Sequence, residues 1–285
     1  MSQSFNTLFK DLITDIKTKG QESKPRDLMV QELALGHIKL EPRKYFANFE
    51  NRKFNFKYFA GELAWYMMRD CDVDYIGKFS GFWKNITNPG TNEINSNYGA
   101  LLFGDQLQWA KDSLSRDINT RQAIAFLNQP KYQFEGNKDF VCTMYLNFWI
   151  RDNKLHMKVQ MRSNDIFYGL TFDAPFFGFV HQHMLLWLNE TYPDLQLGEY
   201  HHLADNIHFY EQHFELADKI VSENPDSNHD NKFEMNLKQP MFVLNHGTME
   251  LTDFGKEYIS EVNRLVEAES KMQGYQDLLS KYLLN

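Results

Sequence analysis

FVCTMYLNFWIRDNKLHMKVQMRSNDIFYGLTFD, from Phe140 to Asp173, carries a two-residue rhythm on either side of a polar pair. Cys142 leads an apolar and aromatic run, Asp152-Asn153 supplies turn chemistry, and Leu155, Met157, Val159 and Met161 alternate with His156, Lys158, Gln160 and Arg162. Such alternation is the period of a half-buried strand, and two runs about one polar pair predict a β-hairpin. With a two-residue turn, direct counting pairs Cys142 with Ser163 and sends Arg162 to the opposite face. A bulge or a longer loop would re-aim one of them.

The cysteine, then Arg162-Ser163, Asp165, Gly169 and Phe172-Asp173, resembles the active-site block of the thymidylate synthase superfamily. In that family a uracil-reading asparagine ends the block, whereas Asp173 stands here. An amide can accept from uracil N3-H and donate to O4, but an ionised carboxylate only accepts. Cytosine offers a 4-amino donor, and its N3 is protonated as the ring is activated, so a carboxylate can accept from both. Asp173 therefore points to dCMP, and the block is most similar to the branch of the superfamily that hydroxymethylates dCMP.

Composition narrows the partners. Across 285 residues, 30 basic against 38 acidic side chains give a net charge of -8, with no overall field to draw in a nucleic-acid polymer. A mononucleotide phosphate needs only a few local arginines. Two cysteines, Cys71 and Cys142, are too few for a disulfide framework and fit a reducing cytoplasm. No stretch reads as a signal peptide or a membrane span. Without a repeat or a convincing linker, one domain is expected over residues 1–285, with a divergent helical segment from about residue 250.

Along the chain, Phe5, Leu8, Phe9, Leu12, Ile13 and Ile16 form one helical face closed by Gly20. A polar loop carrying Arg26 precedes an extended stretch over residues 28–42. Residues 56–70 place Phe59, Leu63, Tyr66 and Met67 on a helical stripe beside Glu62, a carboxylate costly to bury unless hydrogen-bonded or working. Residues 81–99 are loop-like and residues 105–118 helical. The apolar run 174–194 predicts a buried helix stopping before Pro193. His181 and His183, two apart on it, point to different faces, so no metal site is expected. Residues 223–233 are turn-rich, 239–245 predict a strand, and a single amphipathic helical pattern runs from Tyr258 to Leu283.

The resemblance implies an α/β fold, a mixed kinked sheet flanked by helices, and a homodimer formed through the sheet. It implies 5,10-methylenetetrahydrofolate as co-substrate, Cys142 as the nucleophile that adds to pyrimidine C6, and arginines that lower its pKa. By position, Glu62 organises active-site water, Arg26, Arg162 and Ser163 match phosphate contacts, and His208 and Tyr210 match the H-x-Y pair that binds the sugar hydroxyl. Trp83, Asp165 and Gly169 match the folate side, and Tyr98 another active-site position. Arg121 matches the first of two arginines that reach the other subunit's phosphate, the second being Gln122, and Ile86 stands where synthases usually carry a second tryptophan. The resemblance also leaves open a methylating synthase, a CMP or dUMP hydroxymethylase, or a silent nucleotide-binding relative. A modified cytosine nucleotide suggests a bacteriophage modifying its DNA.

Overall fold

The computed structural model describes residues 4–223 and 233–285. Helix α1 (Phe5–Lys19) is capped by the Ser4 hydroxyl, which accepts from Thr7 N–H, and buries Phe5, Phe9, Leu12, Ile13 and Ile16 as the spacing predicts. Strand β1 (Gln21–Ser23) and a tight turn carrying Arg26 lead into β2 (Val30–Leu40). Helices α2 (Phe56–Met68), α3 (Val73–Ile76), α4 (Tyr98–Leu102) and α5 (Asp105–Arg116) precede β3 (Ile124–Phe126). The hairpin is β4 (Thr143–Arg151) and β5 (Lys154–Met161), followed by β6 (Asn164–Asp165) and a π-helical turn (Ile166–Leu170). That turn feeds α6 (Thr171–Leu188), and β7 (Gln196–Tyr210) and α7 (Phe214–Ser222) follow. The chain ends with a hairpin of β8 (Phe242–Asn245) and β9 (Thr248–Leu251), then α8 (Asp253–Glu267) and α9 (Met272–Tyr282).

The sheet runs β1-β2-β7-β5-β4-β3, with β6 also paired to β7. It is mixed: β5 and β6 lie parallel to β7, and the other neighbours are antiparallel. One face is covered by the apolar α6, and Leu155, Met157, Val159 and Met161 point into that core. The pleat is interrupted three times. Leu35 leaves the ladder with φ +60, β4 slips between Thr143 and Tyr145, and β5 slips between Leu155 and Met157. These breaks are the expected kinks.

Two expectations are corrected. The buried helix begins at Thr171, not Ala174, so Asp173 lies in its first turn. The π-helical turn runs straight into α6, and Pro175 so near the start forfeits only the bond to the Thr171 carbonyl. The single C-terminal helical pattern is two helices, because Glu269 turns left-handed (φ +49) and Ser270 N–H returns to the Leu265 carbonyl, closing α8. The turn-rich stretch 223–233 lies, apart from its two ends, outside the described residues. Among the described residues no helix is long and apolar enough to cross a membrane.

Candidate active site

The hairpin settles the pairing of Cys142. Asp152 and Asn153 both have positive φ, 51 and 55, and form the expected two-residue turn, which pairs Tyr145 with Gln160. The bulge at Met144 then shifts the register by one, so Thr143 lies against Met161. The next pair outward is Cys142 with Arg162, whose N–H donates to the Cys142 carbonyl at 2.9 Å. Arg162 Nη2 lies 3.4 Å from the Cys142 Sγ, while Nε is 3.2 Å from the Val141 carbonyl. The guanidinium also sits 4.8 Å over the Phe140 ring. Counting without the bulge would have given Ser163, which instead stands half-buried one residue further on.

Electrostatics correct one expectation. The arginines do not lower the Cys142 thiol below its ordinary value; burial pushes it up, Arg162 and Arg26 pull it down, and Asp173 and Asp139 push up again. Burial outweighs two cations because a thiolate loses more hydration than the partly solvated guanidinium groups return.

Glu62 faces inward from α2 at 5% exposure, and its Oε1 accepts from Tyr58 Oη at 2.8 Å. Tyr58 Oη in turn accepts from Trp83 Nε1 at 3.1 Å. Burial pushes the Glu62 carboxyl up to about 8, with Asp173 adding to the rise and Tyr58 and Tyr66 opposing it. Glu62 therefore holds a proton at neutral pH. Trp83, matched by resemblance to the folate side, is joined to Glu62 through Tyr58 and tilts against Trp65 at 5.3 Å. Tyr98, at the start of α4, stacks on Tyr66 at 5.5 Å; α4 comes so close that a Cβ on Gly99 would collide with the Tyr66 carbonyl.

Asp173 accepts from Asn164 Nδ2 at 2.7 Å, and burial pushes its carboxyl up to about 6 against that bond. Gly169 sits over this contact. Asp165 uses Oδ1 to cap the π-helical turn, accepting from Phe167 N–H at 2.7 Å and from Tyr168 N–H, while its buried Oδ2 has no partner among the described residues. Arg52, unforeseen from sequence, is half-buried beside it: it donates to the Phe167 carbonyl and, at 2.9 Å, to Thr171 Oγ1. Burial lowers its pKa to about 10, and Asp165 raises it.

His208 lies across the ladder from Asp165, its Nδ1 2.9 Å from Asn206 Oδ1, and burial lowers it to about 4. Tyr210 meets it edge-on at 5.5 Å. Burial pushes the Tyr210 phenol up, and Arg26, exposed with φ 55, opposes that rise as it opposes the rise of the Cys142 thiol. Arg26, Arg162, Cys142, His208 and Tyr210 thus share one electrostatic neighbourhood, and Glu62, Asp173 and Tyr98 share the adjoining one. Arg121 is apart from both, exposed in the loop before β3. Ile86 packs on the core. His181 Nε2 donates to the Leu155 carbonyl at 2.8 Å, whereas His183 Nε2 accepts from Met241 N–H at 3.0 Å, so the two rings serve different elements.

Sequence reasoning missed Tyr58, Asn164, Tyr200, His202 and Arg52. Tyr58 had a signal, lying four residues before Glu62 on a helix. His202, paired across a strand with Val159, had none beyond alternation in β7.

A family model described as thymidylate synthase matches residues 7–262. The chain is similar to a deoxycytidylate 5-hydroxymethyltransferase of Enterobacteria phage T6, 29% identical over 212 residues that cover 70% of this chain and 86% of that one. It is also similar to a deoxyuridylate hydroxymethyltransferase of Bacillus phage SP01, 25% identical over 71% of this chain and 56% of the other. A thymidylate synthase of Buchnera aphidicola is 23% identical over 75% and 82%. With a match over most of its length and a seven-stranded mixed sheet of the expected kind, the chain belongs to the thymidylate synthase family, whose members transfer one carbon from methylenetetrahydrofolate to C5 of a pyrimidine nucleotide.

Proposed function

We propose that this chain, as one catalytic domain over residues 1–285, converts dCMP, methylenetetrahydrofolate and water to 5-hydroxymethyl-dCMP and tetrahydrofolate. The observation that carries the reading is Asp173, a carboxylate that can only accept, held by Asn164 in electrostatic contact with Cys142 and Glu62. Similarity to a phage deoxycytidylate 5-hydroxymethyltransferase supports it.

Cys142 gives up its thiol proton as Sγ bonds to C6 and N3 takes up a proton, so that C5 becomes an enamine-like carbon that attacks the one-carbon unit. Asp173 accepts from the 4-amino group and from the protonated N3. C5 then loses its proton, tetrahydrofolate departs, and water adds to the exocyclic methylene before Cys142 leaves C6. Glu62, protonated at neutral pH and joined to Tyr58 and Trp83, orients that water and moves its proton. Arg26, Arg162 and Ser163 hold the phosphate, with His208 and Tyr210 on the sugar. The folate side falls to Trp83, Asp165 and Gly169. The unpartnered acceptor Asp165 Oδ2 fits a pterin N–H, and Tyr98, in electrostatic contact with Asp173 and Cys142, completes the active site. The active unit is a homodimer formed through the open sheet face, with Arg121 reaching the partner's site.

The test is to incubate the protein with methylenetetrahydrofolate and each of dCMP, dUMP and CMP, identifying products by mass. Hydroxymethylation leaves tetrahydrofolate, whereas methylation yields dihydrofolate and its absorbance change. Preference for dUMP, or dihydrofolate formed in step with product, would overturn the reading.

A further inference from the structure

Asp173 is the end of a buried chain of hydrogen bonds. Tyr200 Oη lies 2.7 Å from His202 Nδ1, His202 Nε2 lies 3.0 Å from Asn164 Oδ1, and Asn164 Nδ2 lies 2.7 Å from Asp173 Oδ2. Tyr200, His202 and Asn164 are 0%, 1% and 3% exposed. We propose that Asn164, oriented by His202 and Tyr200, is a positioning residue for base selection: it holds Asp173 in the acceptor form that reads cytosine. The proposal rests on the reading of Asp173 as the base-contacting group.

The argument is one of polarity. Burial pushes His202 down to about 3, so the ring is neutral and one nitrogen carries the proton. With Tyr200 donating to Nδ1, the proton sits on Nε2 and is given to Asn164 Oδ1. That leaves the Asn164 amide hydrogens for Asp173, which must accept them. Turned the other way, with Asn164 giving its hydrogens to His202, its oxygen would face the Asp173 carboxylate and repel it unless that carboxyl carried a proton. The two senses are not equal in a buried site, where an unpaired polar atom costs about 1–3 kcal/mol.

Among the described residues, the other groups around Asp173 give no support to its ionised form. Glu62, Tyr58 and Tyr66 approach from α2, Tyr98 from α4, Cys142 from the start of β4, Asp165 from β6 and Tyr200 from β7; all are acids that titrate to anions or stay neutral. Among the described residues, Asn164 is the one partner that pulls the Asp173 carboxyl down against burial. The packing is built for this contact. A Cβ on Gly169 would fall 2.6 Å from Asn164 Nδ2 and 3.1 Å from Asp173 Oδ2, so the glycine leaves room for the bond and a backbone roof over it.

The experiment uses Asn164→Ala and, because that change sits next to Asp173, Tyr200→Phe, which removes only the hydroxyl at the far end. The pH profile of kcat/KM for dCMP is measured from pH 5 to 9, with the dCMP to dUMP ratio at each point and thermal melting as a check on folding. Asn164→Ala is expected to move the acid limb upward by about one pH unit, a loss of about tenfold at pH 5 and about fivefold at pH 6 that disappears toward pH 9. Tyr200→Phe is expected to shift it the same way by roughly a third as much in rate. An unchanged limb in both variants, or a loss equal at every pH, would overturn the proposal. A wild type that prefers dUMP would instead sink the base reading. Independently of any substrate, nitrogen NMR of the wild type at pH 8 should find His202 protonated on Nε2; a proton on Nδ1 would overturn the chain's polarity.

Discussion

Arg162 Nη2 stands 3.4 Å from Cys142 Sγ because the bulge at Met144 places the two residues across from one another. Burial raises the thiol, and Arg162 is the largest influence opposing it. Arg162→Leu should therefore raise it further and slow alkylation of Cys142 by iodoacetamide at pH 8 by about threefold to tenfold, with Cys71 unaffected. Equal alkylation rates in the two proteins would show that the guanidinium does not act on the sulfur.

Cys142→Ser should keep nucleotide binding and lose turnover, since a hydroxyl at its ordinary pKa does not replace a thiolate. Cys71→Ser, in a half-buried site away from Arg162, should be nearly silent. Turnover that survives loss of Cys142 but not of Cys71 would place the nucleophile elsewhere.

Glu62 sets a pH dependence of stability. Its folded pKa, about 8 against an ordinary 4.5, means the folded state keeps a proton that the unfolded chain releases. Stability from this group is therefore full below pH 4.5 and falls as pH rises toward 8. Glu62→Gln removes the titration. Its melting temperature relative to wild type should climb between pH 5 and pH 8.5, by roughly 2–4 °C for each 1 kcal/mol in a chain of about this size. A constant difference across that range would mean Glu62 ionises normally.

Much of this site was legible. Alternation about Asp152-Asn153 gave the hairpin and its turn, and helical spacing put Glu62 beside the apolar stripe of α2, which the fold turns inward. The bulge was open as an alternative but not assigned, because Met144 looks like any strand residue and the register depends on how α5 and α6 pack against β4 and β5. The thiol's direction of shift was missed because spacing counts nearby cations and cannot count lost water. Tyr200, His202 and Asn164 meet through the pairing of β6 and β5 with β7, a long-range event with no local pattern.

Arg121 is exposed and makes no hydrogen bond or ion pair among the described residues. If it serves the partner's phosphate, mixing inactive Arg121→Ala and Cys142→Ser subunits should restore up to about a quarter of wild-type activity, since a heterodimer then contains one intact site. No recovery after subunit exchange is verified would argue against a shared site.

Asp173 reading the base is the central claim, and Asp173→Asn tests it most directly. The substitution replaces an acceptor-only group by an amide that can donate to uracil O4 and accept from N3-H. Unpaired buried groups cost roughly 1–3 kcal/mol each, so the ratio of kcat/KM for dCMP to that for dUMP should fall by at least about tenfold. In the wild type, with the carboxyl near 6, dCMP turnover should also fall as pH drops below that value, a limb the amide lacks. A ratio unchanged by Asp173→Asn, or a wild type already favouring dUMP, would contradict the account.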